Sequence, residues 1–358
     1  MKNELLEKIA SAHSNPSVTV SMKTHRTFPD CEKDQIRMKN LFKEASERLT
    51  NEFGKKEVSV IIDKMNEISE TYDIRHSLDS LHIFLSNEMT EIVKSPWTVD
   101  ESKVQISERF AIKPLIVMNN RMADYLILIL SKSGTKLFKA QNDQMVEEIK
   151  NDTFPSTENP YTTVNKIQQS DSDRMDKLLL EYYNTIDKAV VKVHLETGLN
   201  CVVMTTDDNF AKLKKVADKP TIYKGYSTFN TNDNSEKAIV TAAWGIVQES
   251  QKANRTAAIA EVQSAVSKGQ VLTDLGEIYR AAKEGRADLF VAHNDFRQAV
   301  KMTSDTTFDL VDDVTTAGAI DDITSEIARE VIARKGRVVF TNQDEIKDLG
   351  VIALKLRF

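Results

Sequence analysis

One stretch of this chain sets the terms for its fold. In Ala123-Asp124-Tyr125-Leu126-Ile127-Leu128-Ile129-Leu130 the apolar run is unbroken from Tyr125 to Leu130 and is bounded by turn residues. It is far too short to span a bilayer, which takes about 20 apolar residues in a helix. A strand that is apolar at every position, rather than every second one, is covered on both faces. Ser133-Gly134 then turns the chain into Thr135-Lys136-Leu137-Phe138, which predicts a hairpin.

Other strands and helices alternate around that hairpin. Val18-Thr19-Val20-Ser21-Met22 alternates as a strand should and follows the Asn15-Pro16 break. After Phe28-Pro29-Asp30, the recurrence of Ile36, Leu41, Phe42, Ala45 and Leu49 predicts an amphipathic helix, stopped at Gly54. Val58–Ile68 reads as a further helix, and Ser80–Leu85 as the strand that closes this first unit. Met175, Leu178, Leu179, Tyr182, Ile186, Val190 and Val193 line one side of a long helix ending at Gly198, and Leu199–Met204 is a second buried strand. A short helix begins at Asp207-Asp208, and Ser235–Gln251 is helical again. Further on, one helix ends at Gly269 and another, capped near Thr273, ends at Gly285. The strand Ala287–Ala292 follows, then a helix Asp321–Lys335 with Ile323, Ile327, Val331 and Ile332 inward and Gly336 as its stop. The strands Arg337–Phe340 and Val351–Leu354 finish the chain.

With 358 residues the chain exceeds what one core serves, so two or three domains are expected. We divide it as 1–100, 101–250 and 251–358. The fold class is α/β and multi-domain, the last part an α/β/α sandwich. The net charge is −6, so any contact with a polyanion must come from a local basic patch. Cys31 and Cys201 are the only cysteines, in unrelated contexts, which excludes a disulfide framework or thiolate zinc site and suits a reducing compartment. The charged, helix-like start has no apolar core of a leader peptide. Cytoplasmic location, no membrane and no cofactor are the expectations.

Chemistry-bearing patterns are sparse. The glycines are scattered singly, so no dinucleotide fingerprint or P-loop can be built. His13, His25, His76, His82, His194 and His293 include no pair at metal-ligand spacing, and each reads as a surface or half-buried side chain. The pairs Asp207-Asp208, Asp312-Asp313 and Asp321-Asp322 could be metal carboxylates. Two of them precede helices, where capping and the helix dipole favour Asp. Asp124 is a lone carboxylate at the head of the apolar strand. Arg26, Lys33, Arg37, Lys39, Asn40, Lys43 and Arg48 gather around one helix. They are interleaved with Glu32, Asp34, Glu44 and Glu47, so they form either intrahelical ion pairs or a phosphate-binding face. The segment Asn151–Ser172 is polar, contains Pro155 and Pro160, and lacks an apolar period, as functional loops do.

Several segments in order resemble the bacterial homologues of archaeo-eukaryotic release factors, the third subfamily in particular. They are Ser17-Val18-Thr19-Val20-Ser21-Met22-Lys23-Thr24-His25-Arg26, Gln35–Leu41, Phe110-Ala111-Ile112-Lys113-Pro114-Leu115, the hairpin Tyr125–Phe138, Gly285–Val291 and Ile352–Phe358. The resemblance implies an N-terminal α/β domain, a ribonuclease H-like middle domain and a C-terminal domain of the kink-turn-binding ribosomal protein type. It also implies ribosome or tRNA as partner.

In the archaeal and eukaryotic factors a middle-domain loop carries Gly-Gly-Gln to the peptidyl ester, where glycine lets the backbone approach closely. The corresponding loop here is Asn151–Ser172, which holds Gln168 and Gln169 and no glycine. The chain's Gly-Gln, Gly269-Gln270, falls at a helix end where a cap explains the glycine. Ile36-Arg37-Met38-Lys39-Asn40 stands where the family's codon-reading Asn-Ile-Lys-Ser lies and does not match it. The leading expectation is thus a release-factor-like, non-hydrolytic ribosome- or tRNA-associated protein, with Arg26, Lys33, Arg37, Lys39, Asn40 and Lys43 as RNA contacts. Two alternatives stand beside it. One is a peptidyl-tRNA hydrolase or nuclease using Gln168, Gln169 or Asp124; the other is a protein-interaction scaffold without an RNA role.

Overall fold

The computed structural model describes residues 2–131, 134–160, 172–228, 235–312 and 318–358. These residues form two compact units, one of 2–120 with 255–358 and one of 121–254. The chain is mixed α/β, with several sheets.

The first unit begins with α1 (Lys2–Ser11) and β1 (Ser17–Lys23). Helices α2 (Asp30–Phe53) and α3 (Ser59–Thr71) precede β2 (Ser80–Leu85), β3 (Thr90–Ser95) and β4 (Lys103–Ser107). The sheet order is β3-β2-β1-β4, and every pairing is antiparallel. The strand at Ser80–Leu85 therefore does not close this sheet, because β4 from beyond residue 100 pairs with the other edge of β1. The alternation of β1 is as read: Val18, Val20 and Met22 pack on α2 and α3. Its polar face is buried as well and satisfied locally. Thr19 Oγ1 accepts from the Ala111 amide at 3.0 Å, and Ser21 Oγ meets His82 Nδ1 at 2.9 Å.

Helix α2 turns a little from the expected face. Cys31, Asp34, Met38, Leu41, Phe42, Ala45 and Leu49 are its buried positions, and Ile36 is 62% exposed. Counting back from Leu49 in threes and fours reaches Asp34, not Ile36, so the helical period overrode the apolar character of a single residue.

The rest of this unit comes from the end of the chain. Helix α4 (Lys113–Arg121) closes the N-terminal part. Helix α7 (Glu236–Val266) is continuous, joining what the sequence suggested as two helices, and its second half belongs to this unit. Then follow β10 (Val271–Leu272), α8 (Leu275–Lys283), β11 (Ala287–His293), a small sheet of β12 (Val300–Met302), β13 (Phe308–Leu310) and β14 (Ala319–Ile320), α9 (Ile323–Ala333), β15 (Arg337–Thr341) and β16 (Ile352–Leu356). The main sheet runs β10-β16-β11-β15, parallel only between β11 and β15. One face carries α8 and α9, the other Ala258, Ile259 and Val262 of α7, so this part is the expected α/β/α sandwich.

Three local details differ. Asp274, not Thr273, caps α8 by accepting from the Glu277 amide. Ile332 is 37% exposed rather than inward. The left-handed residue after α9 is Lys335 (φ 60°), and Gly336 is needed for a different reason: a Cβ there would lie 2.6 Å from Val331 Cγ1.

The two ends of the chain share one core. Phe84 and Phe110 meet edge-on with centroids 5.7 Å apart, inside a cluster that also holds Ile278, Phe290, Ile327 and Val331. Arg329 of α9 is buried and donates to the carbonyls of Ala10 and Phe110.

The second unit is built on β5 (Asp124–Ser131), β6 (Gly134–Gln141), β7 (Gln144–Ile149), α5 (Ser172–Thr197), β8 (Cys201–Met204), α6 (Asp207–Val216), β9 (Tyr223–Ser227) and the first half of α7. The sheet order is β7-β6-β5-β8-β9, antiparallel through the hairpin and parallel from β5 to β9. Leu126, Leu128 and Leu130 face α5 and α6, while Tyr125 and Ile127 face α7. Both faces of β5 are covered, as its apolar run requires. Each fully buried Leu or Ile there contributes about 1.5–3 kcal/mol. Gly198 (φ 72°) ends α5, its amide bonded to the His194 carbonyl at 2.7 Å.

Candidate nucleic-acid interface

The cationic helix was the strongest candidate surface, and its start is built around one carboxylate. Asp34 is fully buried and accepts from the His25 amide at 2.6 Å, His25 Nδ1 at 3.0 Å and Arg37 at 2.6 Å. Arg37 also donates to the Lys23 carbonyl. These bonds tie the end of β1 to the first turns of α2. Arg26 forms a two-pronged pair with Asp79, 2.9 and 2.7 Å. Lys33 lies 3.6 Å from Asp30, and Lys43 3.9 Å from Glu47. Lys39 and Asn40 are exposed, and Lys39 makes no ion pair among the described residues. Most cations of this face are thus already paired, and their field is correspondingly reduced.

Farther along α2, Arg48 reaches a cavity of about 480 Å³ in the same unit, lined also by Glu44, Lys103, Gln105, Arg297 and Asp321. Arg48 bonds both oxygens of Asp321 at 3.0 and 3.1 Å and the Val104 carbonyl at 3.1 Å. Burial still outweighs the guanidinium, and the Asp321 carboxyl is pushed up to about 6. Of the two adjacent aspartates only Asp322 is the helix cap, accepting from the Thr324 amide and hydroxyl through Oδ1. Among the described residues Asp322 Oδ2 has no hydrogen-bond partner, and it sits 3.7 Å from the buried Lys113 ammonium, whose pKa burial lowers. Asp207 and Asp208 lie in the first turn of α6 behind the cap Thr206. No group of three or more His, Cys, Asp or Glu could hold a metal among the described residues.

Two histidines are more deeply buried than the sequence suggested. His82 is held between Ser21 and Ser80, and burial lowers its pKa to about 4; His293 is also buried. Their flanking strand residues are apolar, and only pairing with other strands decides how completely such a position is covered.

In the second unit Asp124 accepts from Gln141 Nε2 at 2.7 Å across the hairpin. The first part of Asn151–Ser172 is organised rather than without structure. Asn151 Oδ1 accepts from the amides of Thr153 and Phe154, Phe154 is buried, and Thr135 and Ser156 exchange both backbone bonds. Gly134 (φ 141°) permits this, since a Cβ there would meet the Ser156 carbonyl oxygen at 2.4 Å. Gln168 and Gln169 lie outside the described residues. Gly269 (φ 66°) stops α7, and the Gln270 carbonyl accepts from the Leu356 amide, so Gly269-Gln270 joins a helix to an edge strand. A buried carboxylate missed in the sequence, Asp187 of α5, accepts from Tyr223 Oη at 2.6 Å and the Asp218 amide at 2.8 Å. Its spacing among Tyr183, Ile186 and Val190 was the available signal.

A known family matches the stretch that holds this middle sheet, with its antiparallel hairpin, long α5 and the two parallel strands beyond. Residues 124–286 match the family model described as Bacterial archaeo-eukaryotic release factor family 3. No curated protein matches the chain. Among solved structures, ribosome-bound archaeal Pelota is 12% identical, with 100% of this chain and 94% of that one covered and a TM-score of 0.47. Archaeoglobus fulgidus Pelota is 15% identical over 78% and 79%, TM-score 0.38. Saccharomyces cerevisiae Dom34, a translation termination-like factor, is 10% identical over 100% and 93%, TM-score 0.38. Likeness at these levels adds no weight to a functional reading. Among the described residues no helix is long and apolar enough to cross a membrane.

Proposed function

We propose that this chain is a release-factor-like protein that associates with the ribosome or tRNA in the cytoplasm and does not hydrolyse peptidyl-tRNA. The observation that carries this reading is the family match over 124–286 in a chain whose sequence has no Gly-Gly-Gln. Close approach of backbone to an ester requires glycine, and the Asn151–Ser172 segment has none. On this reading 1–100, 101–250 and 251–358 act as N-terminal, ribonuclease H-like and kink-turn-protein-like domains. On the same reading RNA contact falls to Lys39 and Asn40, which are exposed, while Arg26, Lys33, Arg37 and Lys43 have carboxylate partners. The test is co-sedimentation of the full chain with ribosomes at low salt, paired with peptide release from loaded ribosomes. Association without release is the expected result. Absence from the ribosomal fraction sinks the association, and peptide release sinks the non-hydrolytic half.

A further inference from the structure

A second cationic surface lies in the middle unit, and it differs from α2 in what surrounds its lysines. On α6 and β9, Phe210 and Tyr226 stack with ring centroids 4.4 Å apart and planes 26° from parallel. Tyr226 remains 37% exposed. Lys214 Nζ lies 5.9 Å from the Phe210 ring centre and donates to the Pro220 carbonyl. Lys215, Lys219 and Lys224 are exposed nearby in the chain. None of these four lysines forms an ion pair among the described residues; the nearby Lys212 is the one neutralised, by Asp176 and Asp208.

We infer that the α6–β9 surface is a stacking platform for single-stranded RNA, with Tyr226 on Phe210 receiving a base and Lys214, Lys215, Lys219 and Lys224 receiving phosphates. This rests on the ribosome or tRNA reading above and names a surface for it. An exposed ring already stacked on a second ring is held flat without further ordering, and every base offers a face to it. Lys214 beside the Phe210 ring, with exposed Lys215, Lys219 and Lys224 on the same helix, loop and strand, supplies the charge a backbone of phosphates requires, on a chain whose net charge is −6. Addition of a protein strand is the competing use, because among the described residues β9 is the terminal strand of its sheet. The β8–β9 register shifts between Cys201 and Val202 of β8, which pair with Tyr223 and Gly225, so Lys224 is the extra residue of β9. A bulge and lysine on an edge blunt it as a template for another strand, which favours RNA.

The experiment is fluorescence anisotropy with the full chain and a labelled oligouridylate of about 12 nucleotides, within the roughly 4–16 nucleotides that single-strand binding folds cover. Tyr226→Ala is expected to weaken binding about tenfold, Tyr226→Phe to restore it, and Lys215→Gln with Lys219→Gln to weaken it and flatten its salt dependence. Unfolding curves of the variants separate these effects from loss of fold. Equal affinity of wild type and all variants overturns the platform. So does equal loss in Tyr226→Ala and Tyr226→Phe, or amide protection of 223–227 by a peptide strand in place of RNA. A wild type that co-sediments with ribosomes while oligouridylate binding ignores these variants removes the platform and leaves the functional reading. Variants that respond while the wild type fails to co-sediment do the reverse.

Discussion

The cations of α2 and those of α6–β9 look alike in sequence and differ in their surroundings. On α2, Asp30, Asp34, Glu47 and Asp79 each hold a cation, and one of these carboxylates is fully buried. On α6–β9, Lys214, Lys215, Lys219 and Lys224 have no such carboxylate among the described residues, and Lys214 lies over one ring of a stacked aromatic pair. A cation that closes a local ion pair stabilises an element; one left beside an exposed ring is available to a ligand. Density of basic residues therefore does not locate a binding face, and pairing does.

The largest effect that sharpens this contrast is on stability. Asp34→Ala leaves the His25 amide and the Arg37 guanidinium without their buried acceptor, and urea unfolding should show a loss of about 3 kcal/mol. A loss under 1 kcal/mol would mean that α2's cations are not structurally engaged.

Next comes pH. Asp321 rises from 3.8 to about 6 in the folded chain, so it binds its proton more tightly there than when unfolded. Its contribution favours folding below about pH 4 and is lost as pH rises through 6, on the order of 2–3 kcal/mol. Asp321→Asn should remove that slope, read as the difference between wild-type and variant unfolding free energies from pH 4 to 8. His82, lowered from 6.5 to about 4, has the opposite sign: its contribution is present above 6.5 and lost as pH falls through 4.

On the other face, Tyr226→Ala should cost about 1.4 kcal/mol of oligouridylate affinity. Its cost in unfolding free energy should be smaller than that. Each lysine neutralised among Lys215 and Lys219 should lower the slope of log affinity against log salt by about 0.7 for a single strand. Lys33→Gln and Lys43→Gln should change neither stability by more than about 0.5 kcal/mol nor RNA affinity by more than about twofold, since their pairs are exposed. A tenfold loss in either would return the binding face to α2.

The apolar run of β5 was legible because it needs cover on both faces whatever the rest of the chain does, and α5, α6 and α7 supply it. The helices with glycine stops at Gly198 and Gly269 were legible for a similarly local reason, a positive φ that glycine adopts without strain. Short strands such as β7, β12 and β13 were not, because partly exposed strands of a few residues carry little periodic signal. The α2 cations and Asp34 were all identified as residues, but not which carboxylate held which cation.

The sequence by itself determined the apolar hairpin, the alternating layers and the absence of Gly-Gly-Gln, since each depends on residues close together in the chain. Tertiary structure alone decided that residues from both ends share a core, that Arg48 finds Asp321, and that Tyr226 comes to rest on Phe210. Those pairings depend on how strands and helices pack across long separations, and nothing in the local pattern of charge encodes them. For the cations the physical reason is the same: a lysine's neighbours in space, not in sequence, determine whether its charge is spent.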